Sequence, residues 1–308
     1  MIEVLMLLAG LLVLYKSSRW VVEYSVRISE VLKVGTFTVG FIFVAITTSL
    51  PELFVSVFST LKGEAGLAVG NVIGSNISNL TLVLGLCVFL GGTIYLEKRD
   101  VLELVEILFI SSLVPLFFLR GYLGTIHGVV LIALFLFFLK KLFGERRIPG
   151  PPKKGNLWEI FVKFFFSIGI LLAASEVVVR NAIDLSYTFN LSPEFIGITA
   201  VALGTSLPEL SVDLRSVKEK RYNLALGDLF GSCIMNITLV LGLTSLLNQI
   251  PLDLRPFYGS IPILLITTMS VWYFLDRNNK ITKTEAGALF LIYALFILQE
   301  LGILVLFS

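Results

Sequence analysis

Charge is scarce in this 308-residue chain: Asp, Glu, Lys and Arg together supply 15% of its residues, against about 25% in an ordinary soluble domain. Histidine occurs once, as His127, and cysteine twice, as Cys87 and Cys233, each inside an apolar stretch. Two such cysteines make no disulfide framework. One histidine, no Cys–His constellation and no phosphate-cradling loop leave little from which to assemble an active site, so neither an enzyme nor a cofactor is expected. A formal net charge of +2 gives no ground for a nucleic-acid partner. Also missing is a basic segment ahead of the first apolar stretch, which opens with Glu3 at its third position. A cleaved signal needs that segment, so the stretch is read as the first membrane span.

What the chain has instead is apolar length, with 56% hydrophobic residues and a mean hydropathy of +0.92. A helix crosses a bilayer with about 20 apolar residues, so ten spans would take about 200 positions and leave short loops. Apolar runs between charged breaks place spans near 2–30, 36–61, 66–90, 101–119, 123–143, 157–186, 193–216, 223–247, 257–275 and 284–306. Lys16, Arg19, Glu23 and Arg27 interrupt the first, and Glu176, Arg180 and Asp184 the sixth. These two helices either slant along the interface or face something wet. A basic, proline-rich linker at 144–156 divides the chain into 1–143 and 157–308.

The two parts are copies. Gly40-Phe-Ile-Phe-Val-Ala-Ile-Thr-Thr-Ser-Leu-Pro-Glu-Leu53 aligns with Gly197-Ile-Thr-Ala-Val-Ala-Leu-Gly-Thr-Ser-Leu-Pro-Glu-Leu210, and the stretch 70–86 aligns with 227–243 at 11 of 17 positions, both at an offset of 157. That offset holds five spans, an odd number, which turns the second copy upside down in the membrane. The expected fold class is therefore an all-α integral membrane protein of ten transmembrane helices in two inverted five-helix repeats. Assigning the N-terminus to one side leaves only Lys62, Arg120, Arg180 and Arg255 there and sends the other 20 of 24 basic residues to the opposite side. That side is the cytoplasm, so both termini are expected outside and the linker inside a plasma-membrane protein. A monomer is expected.

Glu52 and Glu209 fall near the middle of the second and seventh spans, where a carboxylate costs at least about 2.5–3.5 kcal/mol to insert. No Lys or Arg lies within four residues of Glu52 or in the equivalent stretch before Glu209, which leaves a transported cation as the partner. Pro51 and Pro208 cannot donate the helical hydrogen bond to residue i−4, freeing the carbonyls of Thr47 and Gly204. Thr48, Ser49, Thr205 and Ser206 add hydroxyls to the same turn. Carboxylate, hydroxyl and carbonyl are hard oxygen donors, suited to Na⁺ or Ca²⁺ and unsuited to Zn²⁺ or Cu⁺. Ser75 with Asn79, and Ser232 with Asn236, each put a hydroxyl and an amide on one helical face. The glycines at 70, 74, 85, 227, 231 and 242 are read as bringing the two blocks of each half together. Asp213 and Asp228 have no acidic counterpart at Ser56 and Asn71. They are expected to line an acidic inner vestibule, unless Asp213 pairs with Arg215 or Lys218 and Asp228 serves its helix N-terminus.

Gly204-Thr-Ser-Leu-Pro-Glu209, Gly227 to Asn236 and their partners in the first half resemble the two alpha repeats of the cation/calcium antiporter superfamily, with the prokaryotic sodium/calcium exchangers the closest fit. The resemblance implies alternating occupation of midplane sites by Na⁺ and Ca²⁺. It implies Ca²⁺ on Glu52 and Glu209 with the carbonyls of Thr48 and Thr205. For Na⁺ it implies the Ala45 carbonyl, Thr48, Ser49, Ser75 and Glu209 on one side, and the Ala202 carbonyl, Thr205, Ser206, Ser232 and Glu52 on the other. Thr47 stands where the first motif normally has glycine, and Asn236 where some relatives have Asp, so K⁺ coupling is not expected. The absence of a Gly-Asn-Ala-Xaa-Glu motif favours Na⁺ over H⁺ as counter-ion. An H⁺/Ca²⁺ antiporter using the same glutamates is the alternative.

Overall fold

The computed structural model describes residues 2–63, 65–96, 100–113, 122–145, 155–188, 205–247, 250–251 and 259–304. Within them run α1 (Ile2–Leu32), α2 (Thr36–Thr48), α3 (Leu50–Leu61), α4 (Gly66–Gly91), α5 (Asp100–Ser112), α6 (Thr125–Glu145), α7 (Leu157–Thr188), α8 (Leu207–Lys218), α9 (Tyr222–Leu247), α10 (Ser260–Asn278) and α11 (Lys283–Glu300). Five of these, α1, α4, α6, α7 and α9, are each long and apolar enough to cross a membrane, and α2 with α3, bent by 46° at the break between them, passes the same test only as a pair. Residues 193–204 of the seventh expected span and 114–119 of the fourth lie outside the described residues.

The surface is inverted relative to a soluble protein. Leu5, Leu12, Ile126, Phe137, Trp158 and Phe166 are exposed, while Ser17, Ser25, Thr48, Asn76, Asn79, Thr238 and Asn236 are buried. Apolar side chains thus meet the hydrocarbon, and polar ones are saved for the interior.

The bend between α2 and α3 sits at Ser49 (φ −83°, ψ 10°), and α8 starts from an almost identical Ser206 (φ −91°, ψ 6°), each with proline in the first turn that follows. Proline suits a helix start because the missing N–H would be unpaired there anyway. The 157-residue offset also holds in the secondary structure: Leu50–Leu61 matches Leu207–Lys218, and π-helical turns at Asn79–Val83 and Asn236–Val240 interrupt α4 and α9 at matching positions. Such turns re-aim the side chains around them.

Two helices of 31 and 32 residues, α1 and α7, pack antiparallel on the flank of this arrangement. Gly10 lies against Ala174 and Val178, while Gly155, just ahead of α7, reaches Val31 near the other end. Short ribbons tie the halves together: β1 (Ile94–Tyr95) pairs with β4 (Lys280–Ile281), and β2 (Tyr122–Leu123) with β3 (Ile250–Pro251), both antiparallel.

The glycines work differently from the sequence expectation. A Cβ on Gly227 would lie 2.2 Å from the Phe37 carbonyl oxygen, and one on Gly231 would lie 2.8 Å from Ala45 Cβ. Both contacts join α9 of the second half to α2 of the first. The close approach therefore brings the blocks of opposite halves together, because the motif of each half completes its chemistry on the other.

Candidate ion-binding site

Glu52 and Glu209 occupy the first turns of α3 and α8 and have no solvent exposure. The unpaired N–H groups of a helix start give each carboxylate a favourable dipole. The two face each other, and the hydroxyls at the helix breaks cross over between halves. Ser49 Oγ donates to Glu209 Oε1 at 3.2 Å, and the Thr205 hydroxyl lies against Glu52. Among the described residues no Lys or Arg pairs with either glutamate; the ion pairs are peripheral ones such as Arg27–Glu23, Lys163–Glu159 and Arg180–Glu176.

Thr48 bridges this pair to a third carboxyl. Its hydroxyl lies 3.1 Å from Asp228 Oδ1 and 3.1 Å from the Val44 carbonyl, and it also neighbours Glu209. The Thr47 hydroxyl folds back on the Phe43 carbonyl at 2.6 Å, so the side chain that replaces glycine stays clear of the break. The Ala45 carbonyl still accepts the Ser49 N–H at 3.0 Å and keeps its place in the helix ladder. Ala202, its counterpart, lies outside the described residues.

Ser75, Ser206, Ser232, Asn79 and Asn236 are all buried. Ser232 approaches Asp228 Oδ1 at 3.5 Å. Asn236 donates to Asn76 Oδ1 at 3.1 Å, and Asn76 donates in turn to the Cys233 carbonyl at 3.0 Å. Asn79 has neither amide atom in a hydrogen bond among the described residues. Unsatisfied amides at this depth point to a missing polar partner.

Asp213 and Asp228 are closed off from solvent at 1% and 0% exposure, so they form no open vestibule, and Asp228 meets the Thr48 hydroxyl that neighbours Glu209. Asp213 does not pair with Arg215, which binds Glu219 at 2.6 Å and covers the Tyr15 ring. His127 lies apart, accepting the Gly124 N–H at 3.2 Å. Sequence reasoning missed Asn76, Ser56 and Asn71 as participants. The signal was present for the last two, since they stand 157 residues ahead of Asp228 and Asp213 taken as a pair.

Glu52, Glu209, Asp213 and Asp228 are thus four buried acids set among buried hydroxyls and amides. Among the described residues no group of three His, Cys, Asp or Glu side chains is close enough to hold one metal ion. The negative charge comes in pairs completed by hydroxyls. A sequence profile described as "Sodium/calcium exchanger protein" matches residues 2–143 and 159–301. This chain belongs to that family. Relatives of the exchanger include an uncharacterized membrane protein of Methanocaldococcus jannaschii, 33% identical over 94% of each chain. They also include the sodium/calcium exchanger MaX1 of Methanosarcina acetivorans, 28% identical over 96% of this chain and 97% of its own. Crystals of the sodium-calcium exchanger NCX_Mj soaked with 10 mM Na⁺ and 10 mM Sr²⁺ contain a similar structure, with a TM-score of 0.84 at 28% identity over 96% of this chain and 97% of that one. The chain thus sits in the prokaryotic sodium/calcium exchanger branch of the cation/calcium antiporter superfamily. It is a multi-pass, helical transporter of the cation/Ca²⁺ antiporter type.

Proposed function

We propose that this exchanger moves Na⁺ against Ca²⁺ across the plasma membrane by alternating access, with ten spans in two inverted halves around the Glu52–Glu209 pair. The observation that carries the reading is the crossed pairing at the helix breaks. Ser49 of the first half donates to Glu209 and Thr205 of the second half lies beside Glu52, and neither glutamate has a basic partner among the described residues. Two carboxylates supply about −2 of charge, which one Ca²⁺ or a small group of Na⁺ ions neutralises, so the two ions compete for one well. The ligands implied by family resemblance, Thr48, Ser49, Ser75 and Ala45 with Glu209, and Thr205, Ser206, Ser232 and Ala202 with Glu52, are proposed for the Na⁺ positions.

The strand pairing supports the alternating topology. With both termini outside, β1 and β4 fall in inner connections and β2 and β3 in outer ones, and each ribbon joins strands on the same side. The α1–α7 pair, packed on the flank and interrupted by charge, is the element proposed to slide. The linker at 144–156 is assigned to the cytoplasm with the basic majority. The test is Ca²⁺ flux at fixed pH under an imposed Na⁺ gradient. Flux that follows a pH gradient and ignores Na⁺ would replace Na⁺ with H⁺ as the counter-ion.

A further inference from the structure

Asp213 and Asp228 stand where Ser56 and Asn71 stand 157 residues earlier. In the first half the two side chains close on each other: Asn71 Nδ2 donates to Ser56 Oγ at 2.9 Å and to the Glu52 carbonyl at 3.0 Å. In the second half the same places bring two carboxyls face to face, with Glu209 beyond them. Both are buried. From outside the pair, neither oxygen of Asp213 meets a hydrogen-bond donor among the described residues, nor does Asp228 Oδ2; within it the two carboxyls lie close enough to hydrogen-bond each other. The Ser216 hydroxyl, three residues along α8 and so on the face of Asp213, is likewise buried without a partner. The donors on the pair are Thr48 and Ser232, both on Asp228 Oδ1. No Lys or Arg is among the groups that act on either acid.

Two dry carboxylates side by side are costly, because low dielectric strengthens their repulsion and burial removes their water. We propose that Asp213 and Asp228, with Thr48 and Ser232, form a second divalent-cation subsite on the inner side of the Glu52–Glu209 pair. Two bidentate carboxylates and two hydroxyls offer about six oxygens, the lower end of what Ca²⁺ takes. No nitrogen or sulfur donor is present in this set to favour zinc. Thr48 belongs to both positions, since it reaches Asp228 and neighbours Glu209. An ion can therefore pass between the aspartate and glutamate pairs without giving up that hydroxyl. The equivalent outer position holds a neutral, self-satisfied pair and offers no such station. The choice of Ca²⁺ and the inner side rest on the antiporter reading and its topology; the subsite itself rests on a buried acid pair that receives no donor from outside on three of its four oxygens.

Equilibrium binding of ⁴⁵Ca²⁺ to the purified full chain without Na⁺ tests the subsite apart from transport. Glu52→Gln with Glu209→Gln removes the midplane charges and should leave one Ca²⁺ bound per chain, weakly. Adding Asp213→Ser and Asp228→Asn should abolish it. That aspartate double variant installs the pair found in the first half, so it should unfold near the wild-type temperature. In vesicles of defined orientation the same double variant should raise the half-saturating Ca²⁺ at the inner face by about tenfold and leave the outer face within about twofold. Absence of Ca²⁺ on the glutamate double variant would overturn the subsite and identify the aspartates as a proton-sharing pair. An unchanged inner-face half-saturation would overturn it equally. Ca²⁺ retained by the glutamate double variant, together with wild-type flux that ignores Na⁺, would uphold the subsite while rejecting Na⁺ coupling.

Discussion

The Ser56–Asn71 and Asp213–Asp228 pairs occupy equivalent places in the two halves and differ in how they meet their own polarity. Asn71, itself partly exposed, donates to Ser56 and to the Glu52 carbonyl, so the first-half pair is neutral and hydrogen-bonded within itself. The aspartates face each other closely enough to hydrogen-bond, and three of their oxygens receive no donor from outside the pair among the described residues. Duplication copied the backbone break, the glutamate and the hydroxyls, yet the positions one turn from the glutamate diverged. The lesson is that the Glu52–Glu209 pair, the proposed ion well, is shared by the two halves while the positions beside it carry different chemistry.

The largest effect should come from the part that is shared. Glu52→Gln and Glu209→Gln are each expected to abolish exchange in proteoliposomes while the purified protein keeps its unfolding transition, because each removes a charge that no neighbour replaces. If one variant kept wild-type flux, the halves would not share a single well.

A transplant sharpens the comparison next. Ser56→Asp with Asn71→Asp gives the first half the acid pair of the second, without the evolved surroundings. Without divalent cation this should destabilise the protein, though by less than the about 3–5 kcal/mol of a fully buried unpaired charge, because Ser56 is buried and Asn71 is partly exposed. Thermal unfolding with and without Ca²⁺ checks it, and partial recovery with Ca²⁺ is the expected outcome.

Packing between halves gives a smaller effect. Gly227→Ala places a methyl where the Phe37 carbonyl oxygen is 2.2 Å away, which forces α2 and α9 apart at a cost of about 1–3 kcal/mol. The unfolding temperature should fall, and both Na⁺ and Ca²⁺ affinities should weaken together, since the contact carries ligands of both halves.

The smallest concerns Asn236. Asn236→Asp turns a donor to Asn76 Oδ1 into an acceptor facing an acceptor, worth about 1–3 kcal/mol of stability. It also adds a titratable group, so flux should become more sensitive to mild acid than in the wild type. An unchanged pH profile would separate position 236 from the ion cluster.

Much of this was legible in the sequence, for reasons visible at particular residues. Pro51 and Pro208 cannot continue a helix, and the breaks lie just before them at Ser49 and Ser206. An identical Thr-Ser-Leu-Pro-Glu in both halves singled out Glu52 and Glu209, and both are buried at the helix breaks. What the residues did not disclose is which half each contact belongs to. Gly227 and Gly231 read as small-residue packing sites, but their partners, Phe37, Phe41 and Ala45, lie about 190 residues away in the chain and come close only through the fold. The π-helical turns at Asn79 and Asn236 were hidden for a similar reason: a one-residue widening changes the aim of side chains without changing hydrophobic periodicity. Asp213 and Asp228 were placed on the inner side by their spacing, whereas their mutual contact depended on two helices meeting.

Uptake of ⁴⁵Ca²⁺ into proteoliposomes loaded with Na⁺ and diluted into Na⁺-free buffer of the same pH tests the central claim most directly. The account predicts rapid uptake that collapses when Na⁺ is equal on both sides and that is lost in Glu52→Gln and Glu209→Gln. Uptake that is the same with and without the Na⁺ gradient, or that survives loss of either glutamate, would contradict it.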